Sequence, residues 1–153
     1  MGNFKLLTPL NNEELTFKNR VFMAPMTRGR SKDQVANELT ATYYAQRASA
    51  GLIFTEGTQI SAQAVGWTNT PGIYTPEQIA GWKKVTQAVH EAGGLIFAQL
   101  WHTGRASHPD FHGGELPVAP SSVPFNSQAF TPEGQAAPLS PAAGAQDAPR
   151  ADS

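Results

Sequence analysis

Three short apolar runs, VFMAPMT at 21–27, GLIFTEG at 51–57 and LIFAQLW at 95–101, constrain the architecture more than any other feature of the sequence. Their hydrophobicity is continuous rather than alternating, the pattern of strands buried on both faces of a parallel sheet covered by helices. The segments between them have helical period. Over 36–51, Leu39, Tyr43 and Ala50 fall on one side, and Gly51 stands where a left-handed residue ends a helix. In TPEQIAGWKKVTQAVHEAGG, Thr75 is the expected N-cap, Pro76 the first helical residue, and Gln78 the partner that closes a capping box. Ile79, Trp82, Val85 and Val89 then make one apolar stripe, ended by Gly93 and Gly94. The order strand, helix, strand, helix, strand builds right-handed parallel units, in either an open doubly wound sheet or an eight-stranded barrel.

Two features favour the barrel. APMTRGRSKDQ, after the first run, contains no GxGxxG, so the dinucleotide-binding fold lacks its best signature. Ahead of that run, FKLLTPLNNEELTFKNR reads as two extended pieces around the turn residues Asn11 and Asn12, a hairpin suited to plugging one end of a barrel. The expected fold class is therefore α/β, part of a (β/α)8 TIM barrel: an N-terminal hairpin, about three parallel strands and two helices. Beyond Gly104 regularity ends. Residues 108–127 are rich in Pro, Gly and Ser and read as a surface excursion with room for one short hairpin. The ending AAPLSPAAGAQDAPRADS is too poor in apolar residues to offset the entropy of ordering. Residues 1–135 are accordingly expected to form the barrel part and 136–153 a disordered tail.

Composition narrows the function classes. Eleven basic and twelve acidic residues are interspersed in 153, leaving a net charge of −1 and no polybasic stripe for nucleic acid. Absence of cysteine removes disulfides, thiolate metal sites and a thiol nucleophile. No signal-peptide pattern opens the chain, and no run of about 18 apolar residues is present to span a membrane, so a soluble cytoplasmic protein is expected.

In a parallel barrel, chemistry gathers at the C-terminal ends of strands. Those positions hold Thr27, residues 55–57, and Gln99, Trp101 and His102, read as an uncharged set rich in hydrogen-bonding groups. Hydroxyl and carboxamide groups converging from neighbouring strands suit a flat heteroaromatic ligand with an imide edge. Pro25 would stiffen the exit of the first strand and Gly57 would admit close approach to a ring. Ordinary strand-end residues are the alternative to this reading. His102, His108, Asp110 and His112 have metal-ligand chemistry, but three of the four lie in a loop with no regular element to hold a closed shell, so no metal is expected. Arg28, Arg30 and Arg47 are expected to be solvated or in surface ion pairs.

Four blocks, FMAPMTRGRS, YYAQRASAGLIFTEGTQISAQAVGW, PGIYTPEQIAGWKK and AQLWHTGRASHP, closely resemble the old yellow enzyme family of FMN-dependent ene-reductases, nearest its bacterial pentaerythritol tetranitrate reductase and morphinone reductase branch. The resemblance covers about residues 6–135. It implies FMN as cofactor, NADPH or NADH as reductant, and activated alkenes or nitro compounds as substrates. It implies that backbone at Ala24, Pro25 and Met26 lines the flavin and that Thr27 hydrogen-bonds its C4 carbonyl. Gly57 then lies beside the ring, Gln99 holds the pyrimidine edge, Trp101 lines the substrate pocket, and Trp67 stands near its mouth. The matching WHTGR stretch implies a structural turn in which Arg105 pairs locally.

The family's substrate-gripping His/Asn or His/His pair, its proton-donating tyrosine, its flavin-contacting arginine and its phosphate loops have no matching motif in this sequence, so no catalytic residue is assigned. A closed barrel also needs about 250 residues. Resemblance stops near Pro138, where an Ala/Pro/Arg-rich ending of the kind produced by a shifted reading frame follows. The expectation is a frameshifted or truncated portion of a flavin oxidoreductase, inactive alone. The alternative is a non-catalytic barrel piece that acts by association with a complementary chain or with itself. A metal-dependent hydrolase built on His102, His108 and His112 is a third, weaker reading.

Overall fold

The computed structural model describes residues 5–121, 123, 127–132, 134 and 136–138. These divide into two compact units, the described residues of Met1–Thr58 with Asn69–Leu100, and those of Gln59–Thr68 with Trp101–Ser153.

The first unit begins with the expected hairpin, β1 (Leu10–Asn11) antiparallel to β2 (Thr16–Phe17), paired Leu10 to Phe17 and Asn11 to Thr16. Asn12, just past β1, makes the turn: its Oδ1 accepts the N–H groups of Glu14 at 3.1 Å and Leu15 at 2.6 Å. A three-stranded parallel sheet follows in the order β3 (Phe22–Met23), β4 (Leu52–Gln59), β5 (Ile96–Trp101). Phe22 pairs with Leu52 and Met23 with Ile53. The first apolar run is thus a strand for two residues only. Pro25 has no N–H to give a ladder, and residues 24–27 leave the sheet exposed. The second run is longer than expected, so residues 55–57 lie inside β4 rather than beyond it.

Helix α1 (Glu38–Ala45) is half the expected length. Asn37 caps it, accepting from Leu39 and Thr40 in a reciprocal box, and that cap sets the register. Thr40, Ala41 and Tyr44 are the buried face; of the expected Leu39, Tyr43, Ala50 side, Tyr43 and Ala50 pack partly buried against the core, whereas Leu39 is 60% exposed and is corrected. Gly51 is needed for space rather than for a left-handed turn: a Cβ there would stand 2.1 Å from the Asn19 carbonyl oxygen.

Helix α2 (Pro76–Glu91) forms as its sequence predicts, with Thr75 and Gln78 in a capping box and Pro76 at its start. Its other end is a Schellman closure, Gly94 N–H to Val89 O and Gly93 N–H to His90 O, both 2.9 Å, with Gly93 at φ +73°. Trp82, Val85 and Val89 are buried as predicted, whereas Ile79 is 42% exposed. Gly81 replaces Ile79 on the buried face, because a Cβ at Gly81 would meet the Ala36 carbonyl at 2.4 Å. These side chains pack with Ala36, Ala41, Tyr44, Ala48 and Ile53 into one core between the helices and the sheet. Lys18 bridges the C-terminal ends of the two helical segments by donating to the carbonyls of Ala48 and Gly93.

In the second unit, Thr103 is tied to Ala64 O by its N–H at 3.2 Å and its hydroxyl at 2.9 Å. Short turns at Gly104–Ala106 and Pro109–Phe111 lead to a hairpin of β6 (Gln128–Phe130) and β7 (Ala136–Pro138). The short hairpin sits after residue 127, not within 108–127, and it takes in residues 136–138, which the sequence had placed in the tail. The rest of the expected tail, 139–153, lies outside the described residues. Arg105 pairs locally as the resemblance implied, with Val123 O and Ser121 Oγ, both at 2.8 Å. No helix among the described residues is long and apolar enough to cross a membrane.

Candidate functional site

At the C-terminal side of the first unit's sheet, Thr27 lies beyond β3, Gly57 lies within β4, and Gln99 lies on β5. The residue that joins them is Glu56, a carboxylate that the uncharged reading of residues 55–57 overlooked. Glu56 is 1% exposed. One of its oxygens accepts the Arg28 N–H at 2.8 Å and the Gly29 N–H at 3.3 Å. Gly29 has φ +61°, which turns two successive N–H groups toward one acceptor. The N–H of Glu56 donates to the Tyr44 hydroxyl at 2.7 Å, tying the strand to α1. On the other side, Thr55 donates its hydroxyl to Glu56 O at 2.8 Å and accepts the Gln99 N–H at 3.0 Å. Burial pushes the Glu56 carboxyl above its ordinary range, against the opposing pull of the two N–H groups and the Arg28 charge. The same burial holds the Tyr44 phenol neutral far above its usual value.

With the backbone held from three directions, two side chains are left over. The Thr27 hydroxyl and the Gln99 carboxamide are exposed, and neither has a partner among the described residues. Ala24, Pro25 and Met26 are exposed beside them, and Gly57 is buried in the strand. A free donor and a free carboxamide, with a residue lacking a side chain on the strand between them, suit the imide edge and ring face of a flavin. Two of the three arginines differ from expectation, while Arg30 is exposed as expected. Arg47 and Arg28 stack on the Tyr43 ring at 3.8 and 4.9 Å, so both are held by cation–π contact rather than surface ion pairs. A cavity of about 170 Å³ lies among Arg28, Arg30, Leu39, Thr40, Tyr43 and Glu56.

In the second unit, Trp101 is half-buried and its carbonyl accepts the Ile60 N–H at 3.4 Å. Trp67 meets Phe130 edge-on at 5.7 Å between ring centroids. The histidines are engaged locally. His102 Nδ1 accepts from Gly104 N–H at 3.0 Å, and His108 Nδ1 from Asp110 N–H at 3.2 Å. His112 Nε2 donates to Ser107 Oγ at 2.8 Å, because that hydroxyl gives its own proton to Val65 O at 2.5 Å. Burial, with His102 nearby, lowers the His112 pKa. Among the described residues no three His, Asp or Glu side chains converge as metal ligands.

Residues 5–137 match the model of the NADH:flavin oxidoreductase / NADH oxidase family. Flavin oxidoreductase hxnT of Emericella nidulans is 51% identical over 131 residues, 82% of this chain and 34% of the relative. 12-Oxophytodienoate reductase 1 of Oryza sativa subsp. japonica is 47% identical over 116 residues, 74% of this chain and 30% of the relative. Among solved structures, the old yellow enzyme homologue from Zymomonas mobilis superposes with a TM-score of 0.86 at 47% identity, covering 92% of this chain and 39% of that one. Morphinone reductase in complex with tetrahydroNAD gives 0.82 at 47% identity, covering 94% and 40%. The chain thus spans about a third of the length of the curated relatives it matches.

Proposed function

The chain belongs to the NADH:flavin oxidoreductase / NADH oxidase family, and from that premise we propose that it forms the cofactor-facing N-terminal third of an FMN-dependent oxidoreductase. FMN bound here supplies hydride carriage from NADH or NADPH to an activated alkene or a nitro compound. The chain's own residues bind and orient it. Thr27 donates its hydroxyl to the C4 carbonyl, where negative charge grows on reduction, and so favours the reduced ring. Gln99 donates and accepts along the pyrimidine edge, and its backbone is held for that task by Thr55. Gly57 and the backbone of Ala24, Pro25 and Met26 line the ring. Trp101 and Trp67 supply flat apolar walls for an unsaturated substrate.

The observation that carries this reading is the pair of exposed polar side chains, Thr27 and Gln99, without partners among the described residues and on either side of a strand whose Glu56 N–H and carbonyl are both hydrogen-bonded. Its test is visible absorbance and gel filtration of the chain with FMN, alone and after mixing with the separately expressed remaining two-thirds of morphinone reductase. Flavin colour that travels with the protein, and that Thr27→Ala or Gln99→Ala weakens by about fivefold, is expected, since a hydrogen bond to a ring edge contributes about 1 kcal/mol. Colourless protein in both experiments would overturn the reading.

A second reading, a non-catalytic piece that works only by association, is favoured by β5, which lies at the edge of the sheet with Phe97 and Leu100 exposed. Co-elution with the complementary polypeptide but no flavin retention would select it.

A further inference from the structure

We infer that Glu56 is a positioning residue for the proposed flavin site, drawing the Arg28 and Gly29 N–H groups onto one carboxylate oxygen and thereby fixing the turn that presents Thr27. The inference rests on the FMN reading for its consequence, but its geometry stands without it.

Thr27 immediately precedes the two N–H groups that Glu56 gathers. The segment that carries it has left the sheet at Met23, so no ladder bond holds residues 24–27 in place. Glu56 supplies the anchor that the missing ladder would have given. It is well placed for this because its own peptide is immobilised from both sides, by the Tyr44 hydroxyl on its N–H and by the Thr55 and Thr58 hydroxyls on its carbonyl at 2.8 and 3.0 Å. The same Thr55 hydroxyl receives the Gln99 N–H. One peptide therefore sets the relative placement of Thr27, Gly57 and Gln99, the three positions at which the flavin would be held.

A merely structural role would be served at lower cost. A buried carboxylate is expensive even with two N–H partners, and an amide of the same shape would fill the space. What the amide lacks is the charge that lets one oxygen accept two N–H groups strongly. The charged and titratable groups facing Glu56 are Arg28 and Arg30 from the turn and Tyr43 and Tyr44 from α1.

The test uses the isotope-labelled chain and Glu56→Gln. In wild type the amide protons of Arg28 and Gly29 should move together with pH and share one midpoint, because both report one carboxylate. Glu56→Gln should abolish that movement and weaken FMN binding by about tenfold at neutral pH with an unchanged far-UV circular dichroism spectrum. FMN affinity of the wild type should fall on acidification along the same midpoint, while that of Glu56→Gln stays flat. Amide protons that do not titrate in wild type would overturn the inference, and that measurement needs no variant to fold. Identical FMN pH profiles for the two proteins would also overturn it. If wild type and Thr27→Ala alike retain no FMN, both alone and with the complementary polypeptide, the functional reading falls, and the wild-type amide titration alone decides the role of Glu56.

Discussion

Glu56 and His112 make folding respond to pH with opposite signs. Burial raises the Glu56 pKa above its ordinary 4.5, so the unfolded chain is more ionised than the folded one in the window just above 4.5. Stability contributed by Glu56 therefore declines as pH rises through that window. His112 is shifted below its ordinary 6.5, so its contribution is complete above 6.5 and is lost as pH falls from 6.5 through the lowered value. Thermal unfolding across pH 4–8 should show both limbs. Glu56→Gln should flatten the first and His112→Gln the second; limbs that survive both substitutions would contradict these assignments. Gly51→Ala is expected to cost about 1–3 kcal/mol in denaturant unfolding, since the new Cβ collides with a backbone carbonyl that cannot rotate away. At this scale Glu56 had one legible signal, a charged residue inside an otherwise apolar strand run. Its partners were not legible, because Arg28, Gly29 and Tyr44 come from two other segments.

The two helices show what local chemistry can specify. Everything that delimits α2 lies within its own sequence: Thr75 and Gln78 at one end, Gly93 and Gly94 at the other. Thr75→Ala should lower stability by about 1 kcal/mol, the usual worth of an N-cap. Val85→Ala, at a fully buried site, should cost about 2 kcal/mol, against less than about 0.5 kcal/mol for Ile79→Ala on the exposed edge. Equal losses at the two sites would mean that α2 packs through the face the apolar stripe suggested. For α1 the apolar pattern misleads. Its cap at Asn37 rotates the helix so that Thr40 and Tyr44, not Leu39, face the core, and Tyr44 is wanted there for a hydroxyl that reaches β4.

Across the molecule, the sheet of the first unit has two unfinished sides. β5 presents Phe97 and Leu100, the latter 64% exposed, and beside β3 runs a groove of about 730 Å³ whose lining includes Val21, Met23, Met26, Tyr43 and Ala50. Exposed apolar surface on an open strand edge drives association. The 153-residue chain expressed alone should therefore sediment as concentration-dependent oligomers and bind a hydrophobic dye. Leu100→Lys should reduce both, and a monodisperse monomer that binds no dye would refute the prediction. In the relatives, the matched region is about a third of a longer chain.

The order of strands and helices, the ends of α2, the turn at Asn12 and the family itself were determined by the sequence alone, because each depends on residues close together or on blocks of residues matched in order. Which face of α1 is buried, where β3 stops, why Gly51 and Gly81 are glycine, and how Glu56 gathers the Thr27 turn were decided only by tertiary structure. Each of those depends on an atom brought within hydrogen-bonding or steric range by a segment far away in the chain, and side-chain pattern carries no record of such distances.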